Sequence, residues 1–456
     1  MSHSFNDVDR VHAPLEKATR SITDPFIDFV AAQSASAWVL LSATFLAICF
    51  ANSLWGGWYF AFLHLELGVT FSGAEFSMSL QHWVNDGLMA LFFFLLGLEL
   101  KRELLVGKLS DLKSAASVVC AAIGGMALPA VVFLALTNAP DIRTGWAIPL
   151  ATDTAFALMI LVLLGDRVPA PARAFLVGLA IVDDLGAIMV IALGYTENFQ
   201  FAWAIPAAVV VSVLVTLNLT GARNGIAYFL TGFVLWFILM KLGLHGTLAG
   251  VIVALAAPVR PAIARFAFTD RLKKTAGQFE DEHNDATNSI FEQPKQNAIA
   301  HEVIDAAKQA TAPLSRWEQH LETPISFVVM PLFAFMNAGI LLNQKAAESA
   351  WNSELSAAIF FALLFGKPIG ILLGVWLGRL VGFVEIPDGL TLRHIFGIGL
   401  LGGIGFTMSL FIATLSFGEG SGLLDIAKQS VIFSSLAAGI LGYLWLRLFC
   451  KKPTSS

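Results

Sequence analysis

Two adjacent carboxylates, Asp183 and Asp184, interrupt an otherwise apolar run from Phe175 to Leu193 (FLVGLAIVDDLGAIMVIAL). Successive residues on a helix point about 100° apart, so the pair cannot line one narrow cavity equally. One carboxylate can face water while the other meets a neighbouring helix. A charge at the depth of a bilayer core costs about 3 kcal/mol or more, and a chain keeps it where charge has work to do. Binding a cation or carrying a proton is the chemistry such a pair suggests, with the two acids titrating as a coupled unit. The alternative is a structural pair bonded to nearby helices. A magnesium-binding DDxxD arrangement fails, because Ala187 stands where the third acid belongs.

Five further ionisable residues are expected at membrane depth: Asp86, Glu99, Asp153, His245 and Lys367. Asp153 lies in WAIPLATDT, residues 146–154. Pro149 removes a backbone donor and threonines flank the acid, so a broken helix is expected here. Thr152 offers a hydroxyl and a carbonyl, hard oxygen ligands suited to an alkali cation; a plain capping aspartate is the alternative. Gly399, Gly402, Gly403 and Gly405 weaken a second helix in the other half of the chain, and paired broken helices are the mark of a transporter ion site. A simple glycine packing face is the other reading. Lys367, in FGKP, needs a partner or must deprotonate. Its candidates are Asp183 and the negative C-terminal ends of half-helices. Glu99 and Glu103 share a helix face with Arg102, either as a charged funnel mouth or as an ordinary solvated helix end.

The elements that must position these groups are membrane helices. Of 456 residues 57% are apolar and 13% charged, with mean hydropathy +0.73; soluble domains carry about 25% charged residues. A net charge of −5 decides nothing by itself, and no nucleic-acid partner is expected. Three scattered cysteines read as packing residues. Apolar stretches place twelve spans near 37–56, 84–106, 115–137, 145–164, 172–194, 201–219, 225–241, 245–258, 324–343, 355–378, 394–416 and 427–448. With the N-terminus in the cytoplasm, 23 of the 28 Lys and Arg residues fall inside and four outside. The organisation expected is a cytoplasmic segment 1–36, helices 1–8 over 37–258, a cytoplasmic loop 259–323, helices 9–12 over 324–448, and a cytoplasmic tail 449–456. A small hairpin is expected within 57–82. The 259–323 loop carries an acidic run at 279–285 and is expected to contain disorder, with a short helix over 298–310.

With these residues in view, the chain resembles the NhaA family of bacterial Na+/H+ antiporters. The segments that carry the resemblance are GLELKREL from Gly97, WAIPLATDTAFAL from Trp146, LAIVDDLGAI from Leu179, PLFAFMNAG from Pro331, GKPIG from Gly366 and GGIGFTMSLFIA from Gly402. It covers about residues 37–448, and the loop around 266–312 is longer than the family pattern. The resemblance implies an all-α integral membrane fold of twelve helices. It further implies an inverted repeat and two interrupted helices, at about 145–164 and 394–416. It implies electrogenic exchange of Na+ or Li+ for more than one proton, with Asp183 and Asp184 holding cation and proton and Thr152 beside them. Asp153 and Lys367 would offset the half-helix dipoles. Glu99, Arg102, Glu103 and Glu318 match a pH-response region, and Asp86 and His245 match family positions with weaker roles. A homodimer joined through the hairpin is implied too.

The function expected is therefore a pH-regulated secondary antiporter of a bacterial cytoplasmic (inner) membrane, serving Na+ and pH homeostasis. It is not an enzyme and needs no cofactor beyond the ions it moves. A sodium-coupled solute symporter and a passive cation channel of similar fold are the competing classes. Substrate-dependent Na+ uptake would reveal the first, and Na+ flux without proton counterflow the second.

Overall fold

The computed structural model describes residues 25–71, 74–105, 112–195, 199–281, 294–342, 344, 348, 352–386 and 389–450. Helix α1 (Pro25–Ala51) starts twelve residues before the expected span, and α2 (Gly56–Leu63) folds back from it at 116°. Strands β1 (Glu66–Phe71) and β2 (Ala74–Ser79) pair antiparallel, Glu66 opposite Ser79, and are the expected hairpin. Then come α3 (Leu80–Leu105), α4 (Leu112–Leu136), α5 (Pro140–Leu150), α6 (Thr154–Leu164), α7 (Ala170–Gly194), α8 (Ala204–Leu219) and α9 (Gly225–Leu242). The rest of the chain forms α10 (Leu248–Ala256), α11 (Arg265–Asp281), α12 (Pro294–Ala310), α13 (313–337), α14 (Glu354–Leu380), α15 (Leu392–Gly402), α16 (Phe406–Phe417) and α17 (Gly422–Phe449).

Among the described residues seven helices are long and apolar enough to cross a membrane, or ten when each bent pair is one span. The difference from the twelve expected spans has two causes. Helix α10 has nine residues, too few to cross alone at about 1.5 Å each. Helix α13 starts on the polar segment PLSRWEQHLETP and opens into a wide turn at Ile325–Val329. The loop before it carries two helices: α11 was not foreseen, and α12 begins four residues early. Gln309 holds the two together, its carbonyl accepting from Ala262 N at 2.7 Å and its side chain from Arg271 at 3.3 Å. Most of the acidic run lies outside the described residues.

Among the described residues the apolar interior is one large cluster with smaller ones beside it. The large cluster joins α1 to α7 and α13 to α17; the next joins α8, α9 and α10 to Trp83 and Phe94 of α3. In the larger one α4 and α14 meet backbone to backbone, since a Cβ on Gly124 would strike the Gly370 carbonyl. The β hairpin and the turn between α16 and α17 share one face, where Ser79 Oγ donates to Glu419. At the opposite face Lys101 caps the end of α10, donating to the carbonyls of Leu255 and Ala257.

Candidate functional site

Both expected breaks are present. Helices α5 and α6 meet at 43° across three extended residues, Ala151 to Asp153, and α15 and α16 meet at 47°. The breaks cross each other: Asp153 N donates to the Ile404 carbonyl at 2.6 Å. Pro149 and the glycines around 402–405 interrupt the helical ladders, and an amide of the first break finds its acceptor in the second. Gly399 permits the approach of α14, for a Cβ there would come within 2.8 Å of Pro368 Cα.

Asp153 caps two helices at once. Its Oδ1 accepts from Phe156 N of α6 at 3.4 Å, and its Oδ2 accepts from Thr407 N at 3.1 Å and Thr407 Oγ1 at 2.6 Å on α16. The carboxylate thus faces the positive N-terminal ends of both second half-helices. Lys367 serves the C-terminal end of α5. It donates to the carbonyl of Leu150, the last residue of α5, and pairs with Asp183 Oδ2 at 2.9 Å. Both candidate partners are used. The sequence explains how the lysine arrives there: Pro368 lacks an N–H and its ring presses on the preceding turn, which widens over Ala362–Gly366.

Thr152 Oγ1 lies 2.7 Å from Asp183 Oδ2 and 3.0 Å from the Gly402 carbonyl. Its single hydroxyl proton serves one acceptor at a time. Asp183 Oδ1 and Asp184 Oδ1 are buried without a hydrogen-bond partner. Both residues are buried, Asp183 wholly and Asp184 at 7% exposure. Each orphan carboxylate oxygen is costly to bury without a partner. A cation or protons would relieve that cost.

The remaining candidates lie apart from this crossing. Glu318 of α13 pairs with Arg102 Nε of α3 at 3.1 Å, and Glu103 stands 3.3 Å from the same guanidinium. Burial pushes the Glu318 carboxyl above its ordinary range, with Arg102 holding back part of the rise. Glu99 sits half-buried on the same helix. Asp86 lies in a widened turn, Trp83–Leu88, at the hairpin end of α3, 3.4 Å from His82. His245 occupies the turn between α9 and α10, where its carbonyl accepts from Leu248 N.

Sequence reasoning missed Thr407 and Ser409. Ser409 Oγ donates to the Ile148 carbonyl at 2.6 Å and so pins α16 to α5. GGIGFTMS carries two hydroxyls just past the break, a polarity that does not say which backbone or side chain they bond.

These features define an integral membrane protein whose ionisable centre sits where two interrupted helices cross. Residues 27–446 match the family described as Na+/H+ antiporter 1. The chain is 41% identical to the Na(+)/H(+) antiporter NhaA of Sulfurimonas denitrificans, over 97% of this chain and 99% of that one. It is 42% identical to the NhaA of Oleidesulfovibrio alaskensis over 94% of each. Against NhaA 1 of Saccharophagus degradans the identity is 40%, over 94% and 93%. The chain belongs to the NhaA family of Na+/H+ antiporters.

Proposed function

We propose that this chain exports Na+, and Li+ with it, across a bacterial inner membrane in exchange for more than one entering proton. The observation that carries the reading is the pair of partnerless buried oxygens, Asp183 Oδ1 and Asp184 Oδ1, beside the Lys367 ion pair. Deprotonated, the two acids bind the cation, with Asp184 as its main ligand and Thr152 beside it. Protonated, they release it, so one site serves both ions by competition. Proton uptake by Asp183 breaks its pairing with Lys367 and frees Thr152 to turn to the Gly402 carbonyl. Asp153 stays fixed throughout, offsetting the α6 and α16 dipoles.

In this reading the spans number twelve in an inverted repeat, both termini are cytoplasmic, and the hairpin face is outside. Homodimers form through the hairpin. Glu99, Arg102, Glu103 and Glu318 tune the response to cytoplasmic pH, and Asp86 and His245 have lesser parts. The test is Na+-induced dequenching of a pH-sensitive dye in proteoliposomes. Na+ movement without obligate proton counterflow would overturn the reading in favour of a channel.

A further inference from the structure

The segment FGEGSG between α16 and α17 sets Glu419 between Gly418 and Gly420, whose φ angles are 71° and 80°. Glycine adopts such backbone at little cost, and the turn brings the carboxylate back onto the bundle. Three groups at the hairpin end of α3 converge on it. Asn85 Nδ2 donates to Oε1 at 3.1 Å, Ser79 Oγ donates to Oε2 at 3.4 Å, and the His82 ring stands 3.9 Å from Oε1. Asn85 is itself held, accepting at Oδ1 from Asn337 Nδ2 of α13 at 2.7 Å. One level of side-chain hydrogen bonds thus ties α3, α13 and the end of α16.

Inward of this level each of the three helices carries a buried phenylalanine: Phe93 on α3, Phe333 on α13 and Phe411 on α16. Ring centroids lie 5.4 Å apart for Phe93 and Phe411, and 6.2 Å for Phe333 and Phe411. Asn85 and Glu419 each stand eight positions from the phenylalanine of their own segment, about 12 Å along a helix axis. A polar clasp therefore sits over an apolar plug. The phenylalanines meet by packing alone; the clasp ties their three helices by hydrogen bonds.

We propose that Glu419 is the gating residue of the hairpin face. While its carboxylate holds Asn85 and Ser79, the phenylalanine plug stays shut. Its release lets α16 part from α3 and opens the way to Asp184. The proposal rests on the antiport reading only for which ions then pass.

Glu419→Ala removes all three contacts, whereas Glu419→Gln keeps an oxygen for Asn85 and a polar group for Ser79. Na+ titrations in membrane vesicles of both orientations give the KM at each face. Loosening the clasp enlarges the share of molecules open to the hairpin face, and apparent affinity follows that share. Glu419→Ala should lower the KM at the hairpin face and raise it at the other, each about threefold or more, with Glu419→Gln near the parent. Movement in the same direction at both faces, or none, overturns the proposal. Deuterium uptake by the 410–421 peptide reads the gate without any ion, so it holds whatever the cargo. Faster uptake in Glu419→Ala, with Glu419→Gln at the parent's rate, is expected, and unchanged uptake overturns the proposal.

Discussion

Lys367 Nζ stands 2.9 Å from Asp183 Oδ2, and both side chains are wholly excluded from solvent. The ammonium also donates to Leu150, so one cation answers a carboxylate and the end of a half-helix together. Removing one partner of a buried pair leaves an uncompensated charge and costs about 3–5 kcal/mol. Lys367→Ala should lower the Tm sharply, read by a thermal shift in detergent. An unchanged Tm would mean that the pair contributes nothing to the fold.

Asp184 behaves differently, because its Oδ1 has no partner to lose. Asp184→Asn keeps the shape of the side chain and breaks no hydrogen bond described at that atom. The Tm should stay within about 2 °C of the parent, while Na+-induced dequenching disappears. Retained exchange would remove Asp184 from the cation site.

Much of this centre was legible because its signals are local. Pro149, the glycines at 399–405 and lone charges in apolar runs each break a rule that ordinary membrane helices keep. The pairing of Lys367 was narrowed to two partners and not resolved, since spacing along the chain says nothing of which helices cross. Thr407 was illegible for another reason. A threonine in an apolar helix commonly bonds its own backbone, as Thr414 does to Leu410 on the same helix, and nothing in the sequence separates the two. Glu419 and Asn85 lie 334 positions apart, and no periodicity connects them. Helix α11 was missed because its sequence, RFAFTDRLKKTAGQFED, is too polar to register as a membrane span.

Thr407 supplies a prediction of its own. Its hydroxyl donates to Asp153 at 2.6 Å inside the bundle, and a hydrogen bond to a charged group is worth about 1.5–3 kcal/mol. Thr407→Val keeps the volume and drops that bond, so stability and exchange should both fall. Thr407→Ser restores the hydroxyl and should recover most of each. Failure of serine to rescue would show that the methyl group, not the hydroxyl, is what matters there.

Competition between Na+ and protons for the same carboxylates fixes the sign of the pH dependence. Ligand oxygens must be deprotonated to bind a cation, so the KM for Na+ should rise as pH falls. Where one proton competes, the slope is about tenfold per pH unit, and steeper where two do. Dequenching titrations from alkaline to mildly acidic pH measure it. A KM that does not change across that range would separate the cation site from the proton site.

Glu318 adds a second pH effect outside the crossing. Its pairing with Arg102 at 3.1 Å joins α3 to α13 and requires the ionised carboxylate. Burial raises its pKa, so the native protein holds this proton to higher pH than an unfolded chain does. Between the two pKa values the native state binds more protons, and stability attributable to this group falls as pH rises through that window. Glu318→Gln cannot ionise and lacks the slope. Its Tm should vary less with pH than the parent's just above the ordinary glutamate range. The cross-helix ion pair is also gone, so the acid limb of the exchange profile should become shallower. A profile and a Tm slope that both match the parent would confine Glu318 to a surface contact with no part in the pH response.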